Sequence, residues 1–175
     1  DNGSLNDLIL RHSYMYAPTF YFGRSGGTNS ICMTDNSAID TGSILFATGG
    51  GHENEIYVEN SELRVSNSIL MTGNTASGAF GNTITCAGTN SLVKVATLAA
   101  TNSAPVLKFV LNESDYNRIP IEVSGTAYVD ETTRLVFDTT GFTSNMTRTF
   151  TVLTAAKGIV GTILPKYVES VTSKG

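Results

Sequence analysis

The chain has no tryptophan, only two histidines and two cysteines, and few charges: Asp, Glu, Lys and Arg together make up 15% of its 175 residues. Each scarcity excludes something. Cys32 and Cys86 give neither a disulfide framework nor a zinc-ligand signature. His12 and His52 alone cannot build a histidine-rich metal site, and a plain surface role is the default for both, so no metal and no cofactor are expected. Lys and Arg number 11 without forming a run, and the net charge is −4, which argues against a nucleic-acid partner. No stretch of about 18 apolar residues occurs, so this segment is not expected to insert into a membrane. The opening Asp1-Asn2-Gly3-Ser4 is not a signal peptide; a chain that starts after a leader, or in mid-protein, would look the same.

What is present favours strands and turns. Apolar residues make up 41%, glycine occurs 17 times, and Thr, Ser and Asn are dense throughout. Val, Ile and Thr suit a pleated surface, while Gly, Asn and Ser suit turns. The length fits one domain with a sizeable core.

Internal repetition is the main signal. The pattern Asn-x-[Leu/Ile]-x-[Leu/Met/Val/Cys] occurs at Asn6–Leu10, Asn29–Met33, Asn54–Val58 and Asn82–Cys86. The asparagines are spaced by 23, 25 and 28 residues. A Ser-x-apolar segment follows each one, beginning at Ser13, Ser37, Ser61 and Ser91. An apolar-x-apolar segment then closes the unit at Phe20-Tyr21-Phe22, Ile44-Leu45-Phe46, Ile69-Leu70-Met71 and Ala96-Thr97-Leu98. Gly-rich turns at 23–27, 49–51 and 72–81 reset the cycle. Three short strands per 23–28 residues is the layout of one rung of an all-β, single-stranded parallel β-helix, a β-solenoid whose crossovers are expected to be right-handed.

The register of such a stack makes specific statements. Period-two alternation places Ile31, Ile56 and Ile84 in one inward column. Asn29, Asn54 and Asn82, with Asn6 before them, fall at equivalent corners, where they either form an amide ladder or each suit their own turn. The ladder is favoured at Asn29 and Asn54, whose flanking register is cleanest. Asp40, Arg64 and Lys94 share an outward slot, which makes Asp40 and Arg64 neighbours. Cys32 is read as an exposed thiol and Cys86 as a core residue, two rungs or about 9.6 Å apart and beyond disulfide reach.

The regular rungs occupy residues 1–104 of a single solenoid domain spanning 1–175, and a less regular set follows in 105–175. Strands are expected at 106–111, 119–123, 127–129, 135–138, 150–153 and 159–163, with a polar loop at 112–118. The order of Ile121-Glu122-Val123-Ser124-Gly125-Thr126-Ala127, Leu135-Val136-Phe137-Asp138, Thr149–Ala155 and Ile159–Ile163 resembles the closing rungs of autotransporter-passenger-like bacterial surface β-helix proteins. The Asn-x-Ile-x-Val rungs are similar to the same class. The resemblance implies a secreted or surface-displayed bacterial solenoid, extracellular in location, and supplies no catalytic motif. The end at Ser173-Lys174-Gly175 shows no obvious cap, so the chain reads as a piece of a longer protein or as one whose tail, 167–171, folds over the open edge.

Motif-like strings give way to simpler readings. Gly23-Arg24-Ser25-Gly26-Gly27 matches the nucleophile-elbow string but runs into another strand, so it reads as a turn. His52-Glu53-Asn54-Glu55-Ile56 lacks the second histidine of a zinc-protease helix. The sequons at Asn2, Asn112 and Asn145 are expected by chance in such a composition. Glu53, Glu55, Glu59 and Glu62 form the densest acidic set, which a solvated face explains more simply than paired catalytic carboxylates. Tyr14, Tyr16 and Tyr21 point outward, with Tyr57 on a neighbouring face; they either stack on sugars or lie against a neighbouring rung or domain. With about five to seven rungs, a stack of about 25–35 Å, and no long loops to wall a deep groove, an enzyme is disfavoured. The expected role is a non-catalytic structural or adhesive module whose partners are glycans, host or cell-surface components, or neighbouring domains. The alternative is a carbohydrate-binding or carbohydrate-cleaving β-helix, with Tyr14, Tyr16, Tyr21, Glu59 and Glu62 as its contact residues.

Overall fold

The computed structural model describes residues 6–22, 28–46, 53–72, 81–113, 119–143 and 149–171. The strands in chain order are β1 (Asn6–Arg11), β2 (Tyr14–Phe22), β3 (Asn29–Thr34), β4 (Ala38–Phe46), β5 (Glu55–Glu59), β6 (Glu62–Met71), β7 (Thr83–Ala87) and β8 (Leu92–Ala100). They continue as β9 (Val106–Val110), β10 (Ile121–Val123), β11 (Ala127–Val129), β12 (Arg134–Asp138), β13 (Leu153–Ala155), β14 (Ile159–Val160) and β15 (Val168–Val171). No α-helix occurs among the described residues; Pro165–Tyr167 is a single 3₁₀ turn.

Strands β1 to β9 alternate between two sheets, and every pairing is parallel. One sheet runs β1-β3-β5-β7-β9-β12-β15. The other runs β2-β4-β6-β8-β10-β13, with β11 beside β8 and β14 beside β11. This is a parallel β-solenoid: up to β9 each circuit lays one strand on each sheet, later circuits lay two short strands on the second sheet, and each circuit stacks on the one before.

The inward columns form as the alternation requires. Leu8, Ile31, Ile56, Ile84 and Leu107 are successive register partners. Ile56 and Ile84 are wholly buried. Phe22 stacks on Phe46 at 4.8 Å between ring centroids, and Phe109 on Phe137 at 5.7 Å. A fully buried side chain of this size contributes roughly 1.5–3 kcal/mol, so the columns are the main cohesive term.

The second and third segments of each rung join into one long bent strand. In β4 and β6 the register shifts between Thr41 and Ser43, and in β6 and β8 between Val65 and Ser68, where β6 carries one extra residue. Rungs approach closely at this bend. A Cβ on Gly42 would lie 2.6 Å from the Pro18 carbonyl oxygen, and one on Gly125 would lie 2.5 Å from that of Ala96. At Ser124-Gly125-Thr126 the bend opens into a break that separates β10 from β11.

Two polar ladders hold the corners. At the entrance to the first sheet, Asn6 Nδ2 donates to Asn29 Oδ1 (3.0 Å), Asn29 Nδ2 to Asn54 Oδ1 (3.0 Å) and Asn54 Nδ2 to Asn82 Oδ1 (2.7 Å). The backbone N–H groups of Asn29 and Asn54 donate to the same oxygens. The ladder ends where Pro105 follows Asn82 in the column, and the buried Asn82 Nδ2 has no hydrogen-bond partner. Between the sheets, the Ser37, Ser61 and Ser91 hydroxyls accept backbone N–H bonds from the rung before: Ser13 to Ser37 (3.3 Å), Ser37 to Ser61 (3.1 Å) and Asn60 to Ser91 (2.7 Å). Each serine hydroxyl also donates to a carbonyl of its own rung, Ser37 to Thr34 and Ser61 to Glu59. The corner places His12, Asn36 and Asn60 at positive φ, a conformation asparagine tolerates better than most residues.

The closing rungs depart from expectation in three ways, and Cys32 in an early rung is a fourth departure. Strand β13 begins at Leu153, not at 150, because Phe150 turns its ring onto Phe142 (5.6 Å). Strand β14 ends at Val160, where Gly161 at φ 111° passes so close to the Val129 carbonyl that no Cβ fits. The tail 168–171 does not fold over the end: β15 pairs with β12 and extends the first sheet. Cys32 is half-buried between Ile9 and Tyr57, and burial pushes its thiol pKa up; it is not a fully exposed thiol. Cys86 lies in the core two strands away, and neither cysteine is in a disulfide. The Gly-rich turns at 23–27, 49–51 and 73–80, most of the 112–118 loop, His52 and the sequons at Asn2 and Asn145 lie outside the described residues.

Asp130 fastens one of these later turns. Its carboxylate accepts hydrogen bonds from the backbone N–H of Asn102 (2.6 Å), the backbone N–H of Thr132 (2.8 Å) and the Thr132 hydroxyl (2.6 Å). Burial raises its pKa, but the hydrogen bonds outweigh it and the net shift is downward. A carboxyl with a depressed folded pKa contributes stability above its unfolded value of about 3.9, and that contribution fades as pH falls through the folded value. Asp130→Ala is therefore expected to cost about 2 kcal/mol at pH 7 and to weaken the acid sensitivity between about pH 4 and pH 2. Urea titrations at both pH values check this. An unchanged midpoint at pH 7 would show that the turn holds without it.

Candidate functional site

The sequence-predicted contact residues come together only in part: Tyr14, Tyr16 and Glu62 share the second sheet, where Asp40 and Arg64 link Tyr14 to Glu62. Tyr14, Tyr16 and Tyr21 all lie on β2, the terminal strand of its sheet, and are 62%, 67% and 59% exposed. Tyr57 is on β5 in the other sheet. Glu59 ends β5 and Glu62 begins β6, so the chain corner puts them on different sheets. Glu55 accepts a hydrogen bond from the Thr85 hydroxyl (2.6 Å). Glu62 is held by Arg64 Nη1 (3.0 Å) and Lys94 Nζ (3.6 Å). The dense acidic run is therefore divided among separate pairings.

The structure instead assembles a groove of about 800 Å³ that the sequence reading had not located. It follows the concave bend of the second sheet along the solenoid axis. Its rim is a column of outward side chains, one per strand: Tyr16, Asp40, Arg64, Lys94, Glu122 and Thr154. Two residues after each comes a floor of small or compact residues: Pro18, Gly42, Ser66, Ala96, Ser124 and Ala156. Six strands at about 4.8 Å spacing give a track of about 24 Å. Among the described residues no long loop walls it; the bend in each strand makes the concavity. The recurrent pair of an outward polar residue followed two positions later by a small one was the sequence signal. It becomes visible only once the rungs are in register.

The rim is electrostatically self-contained at its N-terminal end. Arg64 Nε pairs with Asp40 Oδ1, and Arg64 Nη2 donates to Asp40 Oδ2 (3.1 Å). The Tyr14 hydroxyl donates to Asp40 Oδ2 (2.9 Å). The Arg64 hydrogen bond holds the Asp40 carboxyl below its ordinary range, with help from Tyr14, and the same contact with Asp40 pushes the Tyr14 phenol up. All these groups are substantially solvated, so each pair contributes little to stability.

Among the described residues no group of three or more His, Cys, Asp or Glu is placed to hold a metal ion, and no helix is long and apolar enough to cross a membrane. The chain matches no family model, no curated protein and no solved structure.

Proposed function

We propose that the chain is a non-catalytic structural and adhesive module of a bacterial extracellular or cell-surface protein, presenting its faces to glycans or other surface components. The observation that carries this reading is the pairing of the groove's charges with one another. Asp40 is engaged by Arg64 and Tyr14, and Glu62 by Arg64 and Lys94. Glycoside cleavage needs a carboxyl that keeps its proton and a second carboxyl about 5–10 Å away. Asp40 is instead held ionised. Glu62, which shares Arg64 with Asp40, is itself bound by both Arg64 and Lys94, and the other rim carboxylate, Glu122, is three strands further along, at about 14 Å. The low charge content and the continuous asparagine and serine ladders suit a rigid surface element. The resemblance of the rungs to bacterial passenger-type solenoids supports the setting.

The reading is tested by incubating the purified chain with linear polysaccharides and, separately, by coating a surface with it and counting retained cells. Cell retention without new reducing ends is expected. Release of reducing ends that Asp40→Asn or Glu122→Gln abolishes would replace it with the enzymatic alternative.

A further inference from the structure

We infer that the bend groove is a binding track for an uncharged, linear polysaccharide lying along the solenoid axis. The inference deepens the adhesive reading and rests on it only for the presence of a surface ligand. Shape points first to a linear occupant. The groove is about three residues wide and six strands long, so a compact molecule would meet two or three rungs, whereas an extended chain meets all of them. Rungs repeat at about 4.8 Å, close to the advance of one pyranose in an extended chain, so successive sugars meet equivalent rim positions.

Charge then selects the class. A polyanion such as a uronate chain or a nucleic acid would meet Asp40 and Glu122, with Glu62 beside the two cations. A polycation would meet Arg64 and Lys94. A neutral polyol meets neither penalty and finds both donors and acceptors along the rim. Aromatic surface supplies the apolar half of sugar recognition: Tyr16 lines one end of the groove with its side chain 67% exposed, and Tyr14 beside it is fastened by its hydroxyl to Asp40. The floor leaves room for rings, since Gly42 carries no side chain and Ala96, Ser124 and Ala156 project little. A peptide strand is disfavoured because the backbone beneath the groove is already paired, rung to rung, in the second sheet.

The test uses the full chain with cellohexaose, xylohexaose and mannohexaose, and with hexagalacturonate as the acidic comparator. Amide NMR and calorimetry read the titration. At least one neutral hexaose is expected to bind with a Kd of about 1 mM or tighter and to shift amides at 40–42, 64–66, 94–96 and 122–124. Tyr16→Ala, and Ala96→Trp placed to fill the floor, should each weaken it by about tenfold. Tyr128→Ala, at an exposed site on β11 outside the groove, should leave it unchanged. Three results would each overturn the inference: no neutral hexaose shifting these amides, hexagalacturonate binding more tightly, or Tyr128→Ala weakening binding as much as Tyr16→Ala. Thermal melting of every variant by circular dichroism reads the scaffold separately. Because Tyr16 is exposed, its variant reports on binding even if Ala96→Trp does not fold.

Discussion

Asn54→Ala is expected to destabilise the chain by about 3 kcal/mol, whereas Asn6→Ala should cost about 0.5 kcal/mol or less. The difference comes from what each amide leaves behind. Asn54 Oδ1 is the acceptor for both the side-chain and backbone N–H groups of Asn29, so its removal strands two donors on a partly buried corner. An orphaned buried donor costs about 1–3 kcal/mol. Asn6 only donates to Asn29 at an exposed corner, where water replaces it. Asn54→Asp separates the ladder from simple turn preference. Aspartate suits the same corner and still offers an acceptor to Asn29, but it turns an oxygen toward Asn82 Oδ1 where a donor had been, at 2.7 Å. It should therefore also be destabilising, and less so in acid, where the carboxyl can regain a proton to donate. Urea unfolding followed by circular dichroism ranks the three variants. Equal costs at Asn6 and Asn54 would mean that each amide serves only its own turn.

The first sheet was legible because its signal is repeated within one chain. An apolar residue two places after a corner asparagine recurs at Leu8, Ile31, Ile56 and Ile84, and the coordinates stack these residues one on another. The Asp40–Arg64 contact followed from the same register. The bend between the second and third segments was harder to read. Its residues, Pro18, Gly42, Ser66 and Ala96, share small size but no common turn chemistry, so no motif marks the joint and two strands were expected where one bent strand lies. The recurring serines were plain, but their role was not. A hydroxyl that accepts from one rung while donating within its own is defined by the stacking, not by local sequence. The closing rungs were least legible because both ladders have stopped: Pro105 and Thr133 occupy the asparagine column there. The groove escaped for a related reason. It takes one rim residue from each strand, so its members lie about a full rung apart in sequence and no short window contains two of them.

That dependence on stacking sets the expected response to a core deletion. In a solenoid each rung contacts only its neighbours, so stability is close to a sum of rung terms and interface terms. Ile56→Ala removes side-chain atoms from a wholly buried site that touches Ile31 on one side and Ile84 on the other, and it weakens two interfaces at once. The expected cost is about 2–5 kcal/mol. Ile159→Ala, at a site 55% exposed in the two-residue strand β14, should cost about 0.5 kcal/mol or less. Hydrogen exchange distinguishes a stacked column from an isolated pocket. For Ile56→Ala, amide protection should fall in β3 and β7 as well as in β5, because the lost contacts belong to both neighbours. Protection lost in β5 alone, or a total cost below about 1 kcal/mol, would mean that the isoleucines are aligned without bearing on one another. The vertical column would then no longer account for the stability of the stack.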